Sequence, residues 1–380
     1  MTASSASGGV RLSRRQLVDW LRLIRAENVG PATFRTLLNH YGSAAAALEA
    51  LPELARRGGG ARTPRIPTPE EAERELDRTL AAGARLVALG EEDYPPRLRE
   101  IPAPPPLLAV RGDGECLRRP AVAIVGSRNA SLPGLKMAER IARGLGERGY
   151  VVVSGLARGI DGTAHKAALG SGTVAVIAGG IDHIYPEEHR PLQDDILRNG
   201  GAVLTEMPFG WIPRAQDFPR RNRLVSGISL GVVVVEATAK SGTLHTVRFA
   251  LEQSRDVFAV PGSPLDPRAE GTNKLIRDGA RLVTSAADIV EELEPLLRRL
   301  PDRPADSGLM DPDDAGEDIG QIDDDARALV LDALGPVPMA VDDILLHTGL
   351  SPRVVNIILV ELTLAGRVER HGSQLVALTF

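Results

Sequence analysis

Four valines in a row, Val232 to Val235, restrict what this chain can fold into more than any other stretch. A β-branched run without a polar interruption suits neither a helix nor a half-exposed strand. It fits a central strand of a parallel sheet, buried on both faces. Glu236 ends the run, Ala237 to Thr243 (ATAKSGT) reads as a loop, and Leu244, Val247, Phe249, Ala250 and Leu251 then recur at helical spacing. Strand, loop and helix in that order place the loop at the carboxyl edge of a sheet. Ligands bind at that edge in open α/β folds, and the free N–H groups of a helix start attract anions. Lys240 adds a full positive charge there.

The alternation repeats from residue 121 to 290, with strands expected at 121–125, 150–153, 173–177, 202–205, 231–235, 256–260 and 281–283. Pro133 opens one helix, with Met137, Ile141 and Leu145 on one face, and further helices are expected at 163–169, 192–197, 244–253 and 273–277. This predicts an α/β fold built on an extended Rossmann-like, doubly wound parallel sheet.

Smaller units flank it. Leu17, Trp20, Leu21, Leu23 and Ile24 predict one helix, Val29-Gly30-Pro31 a turn, and Phe34, Leu37, Leu38 and Tyr41 a second helix. Together these make an N-terminal helical domain over 1–60, similar to a helix-hairpin-helix or SAM-like unit, although plain packing helices fit the same pattern. Residues 57–69 read as a Gly/Pro/Arg linker. Residues 61–117 hold that linker, a helix near 69–82, strands at 85–89 and 107–110, and an irregular proline-rich stretch between them; they begin the extended Rossmann-like domain. That domain runs over 118–297, followed by an acidic linker over 298–325. Residues 326–380 offer three short helices (326–334, 341–347 and 352–365) and a hairpin turning near Gly372, which predicts a winged helix. Its third helix presents Arg353 and Asn356 but also Glu361, a poor set for reading duplex sequence.

One cysteine, Cys116, excludes an internal disulfide framework and a cysteine-rich zinc site, and fits a reducing compartment. The first residues lack a signal-peptide apolar stretch and no apolar run is long enough to span a bilayer, so a cytoplasmic location without membrane contact is expected. The net charge of −5 argues against a polyanion partner at face value. Residues 302–325, however, hold ten acids and one base, a net of −9, which leaves +4 for the rest of the chain. The whole-chain charge therefore says little about the central domain.

Four loops carry the chemistry. Gly126, Ser127 and Arg128 follow the first sheet strand. They form no dinucleotide-binding GxGxxG, so no nicotinamide or other cofactor is expected, but a glycine turn, a hydroxyl and a guanidinium suit a phosphate. Ser154, Gly155 and Arg158 follow the second strand, and Ser241, Gly242 and Thr243 join Lys240 after the valines. Arg220, Arg221 and Arg223 crowd the segment just before the valine strand. All four groups are expected on one sheet edge, binding successive phosphates without base identity. Asp161 reads as a helix cap, His165 as an imidazole tied to Asp161, and Tyr185 as structural rather than a stacking platform. Asp161, His165, Asp182, His183, Glu206 and Glu236 make no nucleophile–base pair or metal set, and Ser127, Ser154 and Ser241 sit in no nucleophile elbow. No catalytic residue and no metal are expected.

Seven ordered stretches resemble the DNA-processing protein A family (DprA or Smf): GSR at 126–128, SGLARGIDGTAH at 154–165, GGIDHIYP at 179–186, TEMPFG at 205–210, FPRRNRLVSGIS at 218–229, EATAKSGTLHT at 236–246 and AVPG at 259–262. The chain is similar to the family's three-domain form. The resemblance implies a non-enzymatic, single-stranded DNA-binding mediator that protects incoming DNA and loads the RecA recombinase during natural transformation and recombination. It also implies a homodimer formed through the Rossmann-like domain. Matched motifs put Arg128, Arg158 and Lys240 in the DNA pocket, and charge adds Arg221 and Arg223. With 3 % aromatics, backbone cradling must dominate over base stacking.

Two other readings use the same residues. The Ser-Gly-Thr loop resembles the phosphate loop of Rossmann-like nucleotide phosphoribohydrolases, although His245 stands where those enzymes carry a glutamate. A transcription factor acting through residues 326–380 is the other.

Overall fold

A computed structural model describes residues 11–299, 322–371 and 375–379. The expectations for the extreme N-terminus, most of the acidic linker and the hairpin turn at Gly372 fall outside those residues.

The chain opens with four helices, α1 (Arg14–Ile24), α2 (Pro31–Tyr41), α3 (Ala44–Arg57) and α4 (Pro69–Ala81). Each start is written in the sequence. Ser13 with Gln16 and Thr68 with Glu71 form capping boxes, Ser43 caps α3, and Pro31 follows the Gly30 turn. Strands β1 (Ala84–Ala88) and β2 (Leu107–Gly112) then pair antiparallel, followed by the single turn α5 (Glu115–Arg118).

The alternating region forms β3 (Ala121–Gly126), α6 (Leu132–Gly146), β4 (Val151–Ser154), α7 (Ile160–Ala167), β5 (Thr173–Val176), α8 (Arg190–Arg198), β6 (Ala202–Thr205), α9 (Asp217–Ile228), β7 (Gly231–Val235), α10 (Thr243–Glu252), β8 (Asp256–Ala259), α11 (Glu270–Arg277), β9 (Arg281–Leu282) and α12 (Ala286–Arg299). The sheet order is β1-β2-β6-β5-β4-β3-β7-β8-β9, parallel from β6 to β9. The β1–β2 hairpin extends it in antiparallel fashion at β6, so the sheet is mixed rather than wholly parallel.

The valine run lies inside that sheet, third from the β9 edge, and serves both faces. Val232 and Val234 pack with Leu224, Val225, Val247 and Ala250 of α9 and α10, whereas Val233 and Val235 join Ile141, Leu145 and Ile289 of α6 and α12. Alternate residues of a strand point to opposite faces, and a sheet covered twice needs apolar side chains on both.

The chain leaves β3 for β4, β5 and β6 in one direction, then returns to lay β7, β8 and β9 on the other side of β3. The topological switch point therefore lies between β3 and β7. There the connections diverge and a crevice opens beyond the carboxyl ends.

The expected basic loop before β7 is a helix instead. Residues 218–223 lie inside α9, with Asp217 in its first turn and Leu224, Val225 and Ile228 on the sheet. Proline in a first turn is compatible with a helix, and the guanidinium groups mask the apolar spacing that follows them.

The last unit comprises α13 (Asp324–Ala333), β10 (Met339–Ala340), α14 (Val341–Thr348), α15 (Pro352–Leu364), β11 (Val368–His371) and β12 (Leu375–Leu378), with a three-stranded sheet in the order β10-β12-β11. It is the expected winged helix. Among the described residues no single helix is long and apolar enough to cross a membrane.

Candidate nucleic-acid interface

The switch point is held by hydrogen bonds within and between neighbouring loops. The Thr243 hydroxyl donates to the Gly126 carbonyl at 3.1 Å, Ser241 Oγ to Thr243 Oγ1 at 3.0 Å, and the Ile160 N–H to the Ser127 carbonyl at 3.2 Å. These bonds bring Gly126, Ser127, Ser241, Gly242 and Thr243 together at the ends of β3 and β7, and join the loop after β4 to them. Arg128, Arg158 and Lys240 are exposed on that rim, following β3, β4 and β7, which are adjacent in the order β4-β3-β7.

Arg158 makes a two-point ion pair with Glu188 at 2.6 and 2.8 Å, and both side chains stay more than half exposed. An exposed pair of this kind is screened by water and adds little net stability, so a phosphate can replace the carboxylate at little cost. The Arg128 guanidinium lies 5.6 Å from the centroid of the Phe218 ring, and Phe218 meets Tyr185 edge to face at 5.3 Å. Tyr185 is 54 % exposed. A cation and two rings form one surface step beside the strand ends. Phe218 escapes a reading of the sequence because its neighbours are basic; an aromatic beside a guanidinium cluster is the signal.

Arg221 and Arg223 lie elsewhere. Arg221 is buried on α9 and donates to the carbonyls of Gly155, at 2.5 Å, and Val176. Burial lowers its pKa to about 10 and pushes the Asp161 carboxyl up, while the two attract one another. Arg223 donates to the Glu206 carboxylate and, at 3.2 Å, to the Ala103 carbonyl; exposed Arg220 reaches Glu206 at 3.2 Å. The triplet therefore ties α9 to the ends of β4, β5 and β6, and only Arg220 of the three faces solvent. Gly155 sits against Arg221 so closely that a Cβ there would lie 2.5 Å from a guanidinium nitrogen. Ser154 is likewise internal, its hydroxyl donating to the Ile124 carbonyl at 2.6 Å.

The Asp161 carboxylate accepts the N–H groups of Gly155 at 3.1 Å and Ala157 at 3.4 Å, so it anchors the preceding loop rather than capping α7, whose N-cap is Gly159. His165 is wholly buried and bonds through Nδ1 to Thr173 Oγ1 at 2.7 Å, not to Asp161. Burial pushes its pKa down to about 3, which keeps the ring neutral.

Glu236 settles what the crevice itself holds. Its carboxylate accepts the Ser131 N–H at 2.9 Å and the Ser131 hydroxyl, while Ser131 Oγ accepts the Gly134 N–H at 3.1 Å. A Cβ on Gly134 would stand 2.4 Å from the Glu236 carboxyl carbon. The start of α6, where a Rossmann-like nucleotide enzyme would seat a phosphate, is filled by the chain's own anion. Arg128, Arg158 and Lys240 stay exposed at the same edge. Among the described residues no group of three His, Cys, Asp or Glu side chains could hold a metal ion.

Comparison with known proteins finds three matching units. The family model of DNA recombination-mediator protein A matches residues 85–294, a DprA-like N-terminal HHH domain matches 14–77, and a DprA winged helix domain matches 314–374. Protein Smf of Escherichia coli K12 is 41 % identical over 283 residues, 74 % of each chain. DNA processing protein DprA of Streptococcus pneumoniae R6 is 47 % identical over 206 residues, 54 % of this chain and 72 % of the relative. The X-ray structure of DprA from Streptococcus pneumoniae superposes with a TM-score of 0.59 at 34 % identity, covering 74 % of this chain and 99 % of that one. A structure of DprA from Helicobacter pylori, described for its single-stranded DNA binding mode, aligns at 30 % identity with a TM-score of 0.51, covering 55 % of this chain and 96 % of that one.

Proposed function

Since the chain belongs to the DNA recombination-mediator protein A family, we propose that it binds single-stranded DNA along the carboxyl rim of its sheet. The strand would run over the loops after β4, β3 and β7. Arg158, Arg128 and Lys240 take successive phosphates, with the loops Gly126–Arg128 and Ser241–Thr243 beside them. Tyr185 and Phe218 offer one place for an unstacked base, which a duplex would have to open to use. The observation that carries this reading is the position of exposed Arg128 and Lys240 on either side of the switch point.

The role is binding rather than catalysis. It extends, through the family, to protecting incoming strands and loading RecA in transformation, as a cytoplasmic homodimer joined through the Rossmann-like domain. Nucleotide hydrolysis finds less support. Glu236 fills the place at α6 that a nucleotide phosphate would take, and His245 is exposed on α10.

The test compares single-stranded and duplex oligonucleotides of several sequences at two salt concentrations. Preference for the single strand, a steep loss with salt and indifference to sequence are expected. Equal affinity for duplex, or release of free base from a nucleoside monophosphate, would refute the reading.

A further inference from the structure

The third helix of a winged helix reads DNA by laying a polar, basic face in the major groove. In this chain the accessible part of α15 is confined to its N-terminal end, where Arg353 is its one basic residue. Val355, Ile358, Leu359 and Leu362 fill the core of the winged helix, while Val360 and Leu364 belong to the core of the N-terminal helical unit, with Leu37, Leu51 and Ala55. Glu361, the polar residue between them, is 1 % exposed and held by Arg327 at 2.8 and 3.1 Å. From Ile357 to Leu364 every residue of α15 is buried.

The N-terminal unit supplies a seat shaped for this helix. Helix α3 runs into Gly58-Gly59-Gly60, and α15 packs on α3 and α2. A Cβ on Gly58 would stand 2.1 Å from the Glu361 carbonyl oxygen, so the approach is backbone to backbone and only glycine permits it. Polar contacts close both sides. Arg367 donates to the Gly58 carbonyl and Asn28 to the Leu364 carbonyl, each at 3.3 Å. The glycines expected as part of a linker are thus a contact surface. Charge agrees: residues 326–380 hold four arginines against five acids, a poor complement for a phosphate backbone.

We propose that the winged-helix unit is a docking module for the N-terminal helical unit of its own chain, and that α15 reads no DNA. The two end units then form one body, and DNA handling is left to the sheet rim. This goes beyond the rim reading and does not depend on it.

The test uses the full chain with Gly60→Cys and Ala365→Cys. An ideal Cβ on Gly60 lies 3.5 Å from the Ala365 Cβ, within the range of about 3.5–4.5 Å that a disulfide needs; it also stands 2.8 Å from the Ala55 carbonyl oxygen, so the Gly60 turn must shift slightly, and the native Cys116 is buried. Oxidation is expected to link the two within one chain, and the locked protein to bind single-stranded and duplex DNA within about two-fold of its reduced form. Three outcomes would overturn the proposal: no cross-link, a cross-link only between chains, or a loss of duplex affinity of about ten-fold or more that reductant restores. Val360→Glu supplies an independent readout by amide hydrogen exchange. Helices α3 and α15 should lose protection together; a loss confined to α15 would contradict a shared core.

Discussion

Glu236 ends the valine strand with its carboxylate on the N–H of Ser131, 105 residues earlier, at 2.9 Å. Its backbone is held at φ 55°, a conformation that costs a residue with a Cβ. The bond caps the helix that borders the crevice. Glu236→Ala removes it and is expected to destabilise the fold by about 1–2 kcal/mol, read as a lower urea midpoint. Glu236→Gln, which keeps an acceptor, should fall less. Equal losses for the two would show that the carboxylate does not cap α6.

At the rim, Arg128→Ala and Lys240→Ala should each weaken single-stranded DNA binding uniformly across sequences. Each should also lower the slope of log affinity against log salt by roughly 0.7, the value for neutralising one phosphate fewer on a single strand. Because the two groups follow different strands, the double variant should lose about the sum of the separate effects. Fluorescence titration at several salt concentrations measures this, and an unchanged slope in both would move the DNA elsewhere.

Arg221 is expected to act on stability. Arg221→Met leaves the Gly155 and Val176 carbonyls without their donor and the buried Asp161 carboxyl without the charge that attracts it, and leaving a buried charge uncompensated typically costs about 3–5 kcal/mol. Thermal unfolding should show a large fall. A variant as stable as the parent, but unable to bind DNA, would place Arg221 on the phosphates after all.

His165 predicts a pH dependence. Folded, its pKa is pushed down to about 3 by burial beside Thr173, the end of β4, His189 and Arg221. An unfolded histidine titrates near 6.5, so below that pH the unfolded chain binds a proton that the folded one refuses. The stabilising contribution is complete above about pH 6.5 and is lost as pH falls toward 3, by at most about 1.4 kcal/mol per unit. His165→Gln should flatten the urea midpoint between pH 7 and 5. If the two proteins lose stability in parallel, His165 is not the group responsible.

The strand ends were legible because apolar β-branched runs and glycine turns are local signals. Val232 to Val235, Gly126 and Gly155 fall where the sequence places them. Arg128, Arg158 and Lys240 could be grouped because parallel topology forces consecutive loops onto one edge. Arg221 and Arg223 were misread because local charge does not reveal burial, which α9 and the carboxylates of Asp161 and Glu206 impose from distant parts of the chain. The seat at Gly58 was invisible for the same reason, since its partner lies some 300 residues on. Tyr185 and Phe218 meet through tertiary packing alone.

Val360 and Leu364 complete a hydrophobic cluster whose other buried members, from Val18 to Val203, are translated first. A ribosome therefore releases the opening helices with part of their apolar surface uncovered, and the missing piece emerges only after the whole sheet has been made. Contacts this distant along the chain close late and slowly. Nascent or prematurely terminated chains should accordingly depend on chaperones at their front end, even though the substitution or stop that exposes them lies near the back.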